Sequence, residues 1–144
     1  MEDRHLCKAR PIGTRKQWVT GFYAVLGEKT VIIVCEPEKF YDVDSGKNSH
    51  GNKIVEVIPK TVCQCTGLKD KNGKLIWEND ILSGHIDDEF PEDETRKRVV
   101  WHENGWCTNE PGCDDYEELD DFDSENFEVI GNMIDNPELL EVRL

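Results

Sequence analysis

No stretch of this sequence approaches the ~20 consecutive apolar residues of a membrane-spanning helix, so no such helix is predicted and no membrane association is expected. Residues 1–18, MEDRHLCKARPIGTRKQW, lack the roughly 7–15-residue apolar run of a secretory signal, and a soluble, cytoplasmic protein is expected. Apolar residues are scarce overall, at 37%. Charged residues reach 33%, against about 25% in an average globular chain, which predicts a modest core under a large solvated surface. There is no internal repeat and no low-complexity linker. Neither a nucleophile elbow nor a phosphate-cradling glycine loop is present, which argues against the acyl-transfer and nucleotide chemistries that depend on them.

Basic residues are also scarce, and unevenly so. The chain has 17 Lys and Arg against 31 Asp and Glu, a formal net charge of −14. Residues 1–35 hold six basic and three acidic side chains, a balance of +3, and residues 36–79 hold seven of each. Residues 80–144 hold four basic and twenty-one acidic side chains, a balance of −17. Duplex binding needs Lys and Arg to displace phosphate counterions, so the second half disfavours nucleic acid. Its field suits basic partners or cations, although solubility alone accounts for such a surface.

Cysteine is not lacking. With no export signal, Cys7, Cys35, Cys63, Cys65, Cys107 and Cys113 are expected as free thiols rather than a disulfide framework. At 144 residues the chain fits one domain or two very small ones, and it can bury a core without staples.

Residues 1–17 read as an irregular arm. Trp18–Leu26 and Thr30–Cys35, aromatic and β-branched, read as a hairpin around Gly27, with Gly21 marking a bulge or a close backbone approach. A polar loop over 36–53 offers a candidate subdivision between an N-terminal hairpin part and a C-terminal barrel part. Strands follow at Ile54–Ile58, Thr61–Thr66, Leu75–Trp77, Ile81–Ile86, Arg96–Trp101, Trp106–Thr108 and Phe127–Ile134. Asn72-Gly73 predicts a type I′ turn, in which both residues take positive φ. Further turns are read at Glu78-Asn79-Asp80 and Glu103-Asn104-Gly105, and residues 87–95 and 109–125 read as acidic loops. The Arg96–Arg98 triplet is expected to face the first of these loops. Gly131 reads as a bulge, and Asn136-Pro137 as a capped helix start with Pro at the first helical position. About nine short strands with almost no helix predict a mainly β fold of short twisted strands, in one or two small barrel-like or sandwich modules with a short C-terminal helical turn.

Three stretches in this order, TVCQCTGLKDKNGKLIWENDIL (61–82), VVWHENGW (99–106) and FEVIGNMIDNPELLE (127–141), resemble the YopX family of bacteriophage and prophage proteins. The resemblance spans roughly residues 14–141, with 18–144 as the YopX-like β domain. Where the family has Gly-Gln-Tyr this chain has Cys63-Gln64-Cys65, and where the family has Glu-Gly-Asp it has Glu78-Asn79-Asp80. The resemblance implies a phage or prophage origin and a mainly β fold. It supplies no catalytic residues, and the matching positions are turns, bulges and caps.

Four constellations are candidates for chemistry. Cys63, Cys65, Cys107 and Cys113 offer thiolates for zinc, but their spacings of one and five intervening residues differ from the C-x₂₋₄-C pattern, and buried free thiols are the simpler reading. Asp42–Gly46 begins like a calcium loop but lacks its closing glutamate, and Asp120–Glu125 reads as a solvated acidic loop. Cys107 or Cys113 with His102 is a conceivable nucleophilic pair. Trp18, Phe22, Tyr23, Trp77, Trp101 and Trp106, with Arg10, Arg15, Lys16, Lys69, Lys71 and Lys74, could stack and neutralise a single strand, although aromatics within strands are usually core. No catalytic residue and no cofactor is expected. The leading expectation is a non-catalytic interaction or assembly module that self-associates or binds a protein. Its rivals are a weak single-strand binder or acidic DNA mimic, and a metal-dependent enzyme.

Overall fold

The computed structural model describes residues 5–13, 17–35, 52–86, 89–90 and 92–141. The fold is mainly β, and the chain forms two compact units that divide between Gln64 and Cys65. The expected subdivision near 36–53 falls mostly on residues outside those described. Residues 36–51 lie outside the described residues, and the strands flanking them are neighbours in the first unit.

The first unit holds β1 (Cys7–Ala9), β2 (Val19–Leu26), β3 (Lys29–Cys35), β4 (Asn52–Glu56) and the first residues of β5 (Cys63–Lys69), in the antiparallel order β4-β3-β2-β1-β5. Alternation puts Ala9, Ile32 and Val57 into its core, flanked by Cys7, Val19, Val34, Val55 and Val62. The arm expected over 1–17 is thus corrected for Cys7–Ala9, which sits between β2 and β5. Three residues are too short to show a strand pattern, and long-range pairing decides the outcome. Gly21 lets β2 approach β3, since a Cβ there would lie 2.1 Å from the Ile33 carbonyl oxygen. The β2–β3 register runs unbroken, so Gly21 marks a close approach and not a bulge. A 3-10 turn at Pro59–Thr61 follows β4. The buried Thr61 hydroxyl donates to the Ile58 carbonyl at 2.6 Å and accepts from the Arg10 N–H at 2.9 Å. The bridge Pro11↔Val57 adds one further backbone link in this unit.

The second unit continues β5 and adds β6 (Leu75–Trp77), β7 (Asp80–Gly84), β8 (Thr95–His102), β9 (Gly105–Asn109), β10 (Glu117–Glu118), α1 (Asp121–Asn126) and β11 (Phe127–Asn132). Five of its strands form an antiparallel sheet in the order β10-β9-β8-β7-β11. The sheet is open, and no closed barrel forms among the described residues. Ile76, Leu82, Val99, Leu119 and Phe127 form the core, with Leu68, Trp106 and Val129 against it.

The turns show which glycine and asparagine signals act. The β5–β6 connection is not type I′, because of the Asn72-Gly73 pair only Gly73 takes positive φ, at 82°. Asp70 organises this loop instead. Its carboxylate accepts from the Asn72, Lys74 and Val129 N–H groups, each at 2.9 Å, so the side chain sets the turn and also holds β11. Burial opposes its ionisation, but the backbone donors of Val129, Lys74 and Asn72 hold the carboxyl below its ordinary value. Asn79 takes positive φ, 70°, as the turn before Asp80 requires, and the ladder bulges between Val129 and Gly131 as read. Pro137–Leu140 forms a 3-10 turn behind Asn136, but the Asn136 side chain does not cap it. Its Oδ1 instead accepts from the Asn132 N–H at 3.3 Å.

The acidic stretch 109–125 is corrected in part. Asp120 N-caps α1 through a capping box with Asp123, a signal present in the sequence as Asp-x-x-Asp. Asp123 is not solvated. Its Oδ1 accepts from the Lys97 ammonium, both side chains are over 90% buried, and Lys97 lies 4.3 Å from the Phe127 ring centroid. Of the basic triplet, Arg96 does meet the first acidic loop, through Glu94 at 2.8 Å, while Lys97 turns inward. Among the described residues no helix is long and apolar enough to cross a membrane.

Candidate functional site

The end of the β8–β9 hairpin carries a cavity of the second unit. Its turn is Glu103-Asn104, since His102 pairs with Gly105, and Glu103 takes φ 56°, a conformation rarely adopted by a side chain of its length. Buried Asn109 folds the following loop back, its Nδ2 donating to the Cys113 and Asp115 carbonyls at 2.8 Å each. That fold delivers β10 beside β9, with Glu118 opposite Cys107. Leu119 drops into the core as its N–H donates to the Trp106 carbonyl at 3.0 Å. Tyr116 then stacks on His102, ring centroids 3.8 Å apart and planes 1° from parallel. Trp101 meets Trp106 edge-on at 5.1 Å.

These groups enclose an open cavity of about 480 Å³, lined by Tyr116, His102, Trp106, Cys107, Glu103 and Glu118 over a floor that includes Leu68 and Leu119. Burial, and then the charges of Glu118 and Glu103, push the Cys107 thiol above its ordinary value. A protonated thiol is a poor nucleophile. The structure therefore brings the predicted pair Cys107 and His102 to one cavity but surrounds it with the wrong charge for attack. His102 Nε2 lies 3.7 Å from Glu103 Oε1.

The zinc candidates do not converge. Cys63 and Cys65 share a face of β5, as their spacing requires, and both are buried, the Cys63 thiol donating to the Thr61 carbonyl at 3.4 Å. Cys107 is half-buried and Cys113 exposed. Among the described residues no group of three or more Cys, His, Asp or Glu is arranged to hold a metal. The calcium-like Asp42–Gly46 lies outside the described residues. Of the groups read as able to face a nucleic acid, Trp77 is buried, and the Trp18 ring is covered by Lys8 at 4.7 Å and Arg10 at 4.5 Å. Lys69, Lys71 and Lys74 are exposed around the Asp70 loop, and Arg15 and Lys16 lie outside the described residues. A second cavity, about 340 Å³, lies along Glu94–Arg96, Glu110, Pro111 and Leu139–Glu141. Its Arg96 is already engaged by Glu94 and by the Leu139 carbonyl at 3.1 Å.

Sequence reasoning missed Tyr116, Glu118 and Glu103 as cavity residues. One signal was available: Leu119 is the only aliphatic residue between 109 and 121, which marks where the acidic stretch must touch the core.

No curated protein matches the chain. Its structure is similar to that of protein EF1440 from Enterococcus faecalis, at a TM-score of 0.50 and 21% identity over 94% of this chain and 96% of that one, a likeness that shows the fold alone. The family model described as YopX protein matches residues 27–141, which takes in the first unit from β3 onward and every element lining the cavity, and the chain belongs to the YopX family.

Proposed function

We propose that this protein is a non-catalytic interaction module, of phage or prophage origin, and that its first unit docks onto a second copy of the chain. The observation that supports this reading is the exposed apolar end of the β2–β3 hairpin with its neighbour β4. Tyr23, Val25, Leu26 and Ile54 are each about half exposed, at 51%, 55%, 49% and 57%. Alternation places Tyr23 and Val25 on one face and Leu26 on the other, so the hairpin end is apolar on both sides. Ile54 continues the row Phe22–Ile33 across three strands, on the face opposite the core. An antiparallel sheet with one face on its core normally presents a polar second face to water. Exposed apolar groups on both faces of the hairpin end, beside the strand that is terminal among the described ones, fit protein docking, and a homodimer is the commonest closed arrangement. Multi-angle light scattering across a concentration series tests this. The wild-type chain should show a dimer mass that Val25→Glu with Ile54→Glu converts to monomer. A wild-type chain that stays monomeric at about 100 μM, well above the micromolar dissociation constants of modest interfaces, would overturn the second-copy reading.

A further inference from the structure

We infer that the cavity beneath Tyr116 is a receptor for an arginine side chain carried on a basic segment of a partner protein. The inference is independent of self-association by the first unit, because it rests on different residues and a different observation.

The lining selects the ligand. Glu103 and Glu118 place carboxylates at the cavity, and among the described residues no lysine or arginine lines it. An anion is repelled there. A purely apolar ligand would gain nothing from those carboxylates, and any desolvation of them would count against it. A hard cation needs a convergent set of oxygen ligands, and no such group occurs among the described residues. What remains is an organic cation with an apolar or planar body. The walls supply flat aromatic surfaces, the stacked His102–Tyr116 pair and the Trp106 ring, which its edge-on contact with Trp101 orients. A guanidinium group stacks on such faces and donates in a fork to a carboxylate, whereas an ammonium does neither as well. Burial first, and then the charges of Glu118 and Glu103, oppose ionisation of the Cys107 thiol at the same cavity.

The surroundings indicate a protein segment rather than a lone small cation. Asp114, Asp115 and Glu117 are exposed beside the cavity, so the negative potential continues along the loop that carries Tyr116. A segment with several basic residues would meet this field along its length, and steering by it would raise the association rate.

The test uses the full chain and two peptides, acetyl-Gly-Arg-Gly-Arg-Gly amide and its lysine counterpart, followed by tryptophan fluorescence and by the Trp106 indole N–H shift. The arginine peptide should bind at least about threefold more tightly than the lysine peptide and should move the Trp106 resonance. Glu118→Gln and Tyr116→Ala should each weaken it at least about threefold, while Glu125→Gln, an equal charge change on an exposed residue of α1, should leave it within about 1.5-fold. Three outcomes each overturn the inference: no binding of the arginine peptide, equal affinity for the two peptides, or an equal loss in Glu125→Gln. The peptide comparison is made on the wild-type chain and holds even where a cavity variant does not fold.

Discussion

Replacing Lys97 by methionine removes a cation from the inside of the second unit and strands the carboxylate it was holding. Asp123 is 3% exposed at its side chain and Lys97 8%, so water cannot take over either role. Breaking such a pair from one side costs about 3–5 kcal/mol, because the remaining charge stays buried without compensation. Asp123→Leu should cost as much, plus about 1 kcal/mol for the capping contact in which Asp123 Oδ2 accepts from the Asp120 N–H at 3.2 Å. The double variant Lys97→Met with Asp123→Leu removes both charges and leaves apolar side chains of similar size against Phe127 and Leu82. Its cost should fall to about 1–2 kcal/mol, most of it the lost cap. The two single losses should therefore exceed the double loss by at least about 3 kcal/mol in the cycle. Urea unfolding at pH 7, followed by the fluorescence of Trp77, Trp101 and Trp106, measures all four corners. Additive single losses, or a single loss under about 1 kcal/mol, would refute the burial argument, because such values belong to solvent-exposed pairs.

Two further predictions follow from the titrating groups. Asp70 has its folded-state carboxyl pKa held below the unfolded one, so the stability it contributes is present above the unfolded value and is lost as pH falls through the folded value. Asp70→Asn should cost about 1–3 kcal/mol at pH 7, and the gap from wild type should narrow below about pH 4, which urea midpoints at pH 7 and pH 3 will show. A gap of constant size would point to shape rather than charge. Cys107, with its thiol pKa raised, should alkylate with iodoacetamide at pH 8 at least about fivefold more slowly than exposed Cys113, and Glu118→Gln should speed it, as peptide mass mapping over time will record. Equal rates at the two sites would contradict the assigned field.

Much of the β content was legible because alternation and turn residues are local signals. The hairpin around Gly27, the positive φ at Asn79 and the Gly131 bulge all follow from neighbours within a few residues. Cys7–Ala9 was not legible, since three residues carry no period and the strand exists only through pairing with β2 and β5. Asn72-Gly73 misled because Asp70, two residues earlier, satisfies the loop N–H groups with its own carboxylate and removes the need for a type I′ turn. The candidate cavity was only half legible. His102 and Cys107 stand five residues apart across one hairpin, whereas Tyr116 and Glu118 reach them through the fold of an acidic loop fixed by Asn109.

The family, the mainly β class and the charge split of +3, zero and −17 along the chain could all be read from residue order. These depend on residue identity and short spacing alone. Which carboxylates face solvent and which hold the fold together depends on long-range packing. Asp123 and Asp70 look like any other members of an acidic chain, yet one is buried against Lys97 and the other accepts three backbone N–H groups. Where a carboxylate lies is set by partners 26 and 59 residues away, and no local pattern encodes that distance.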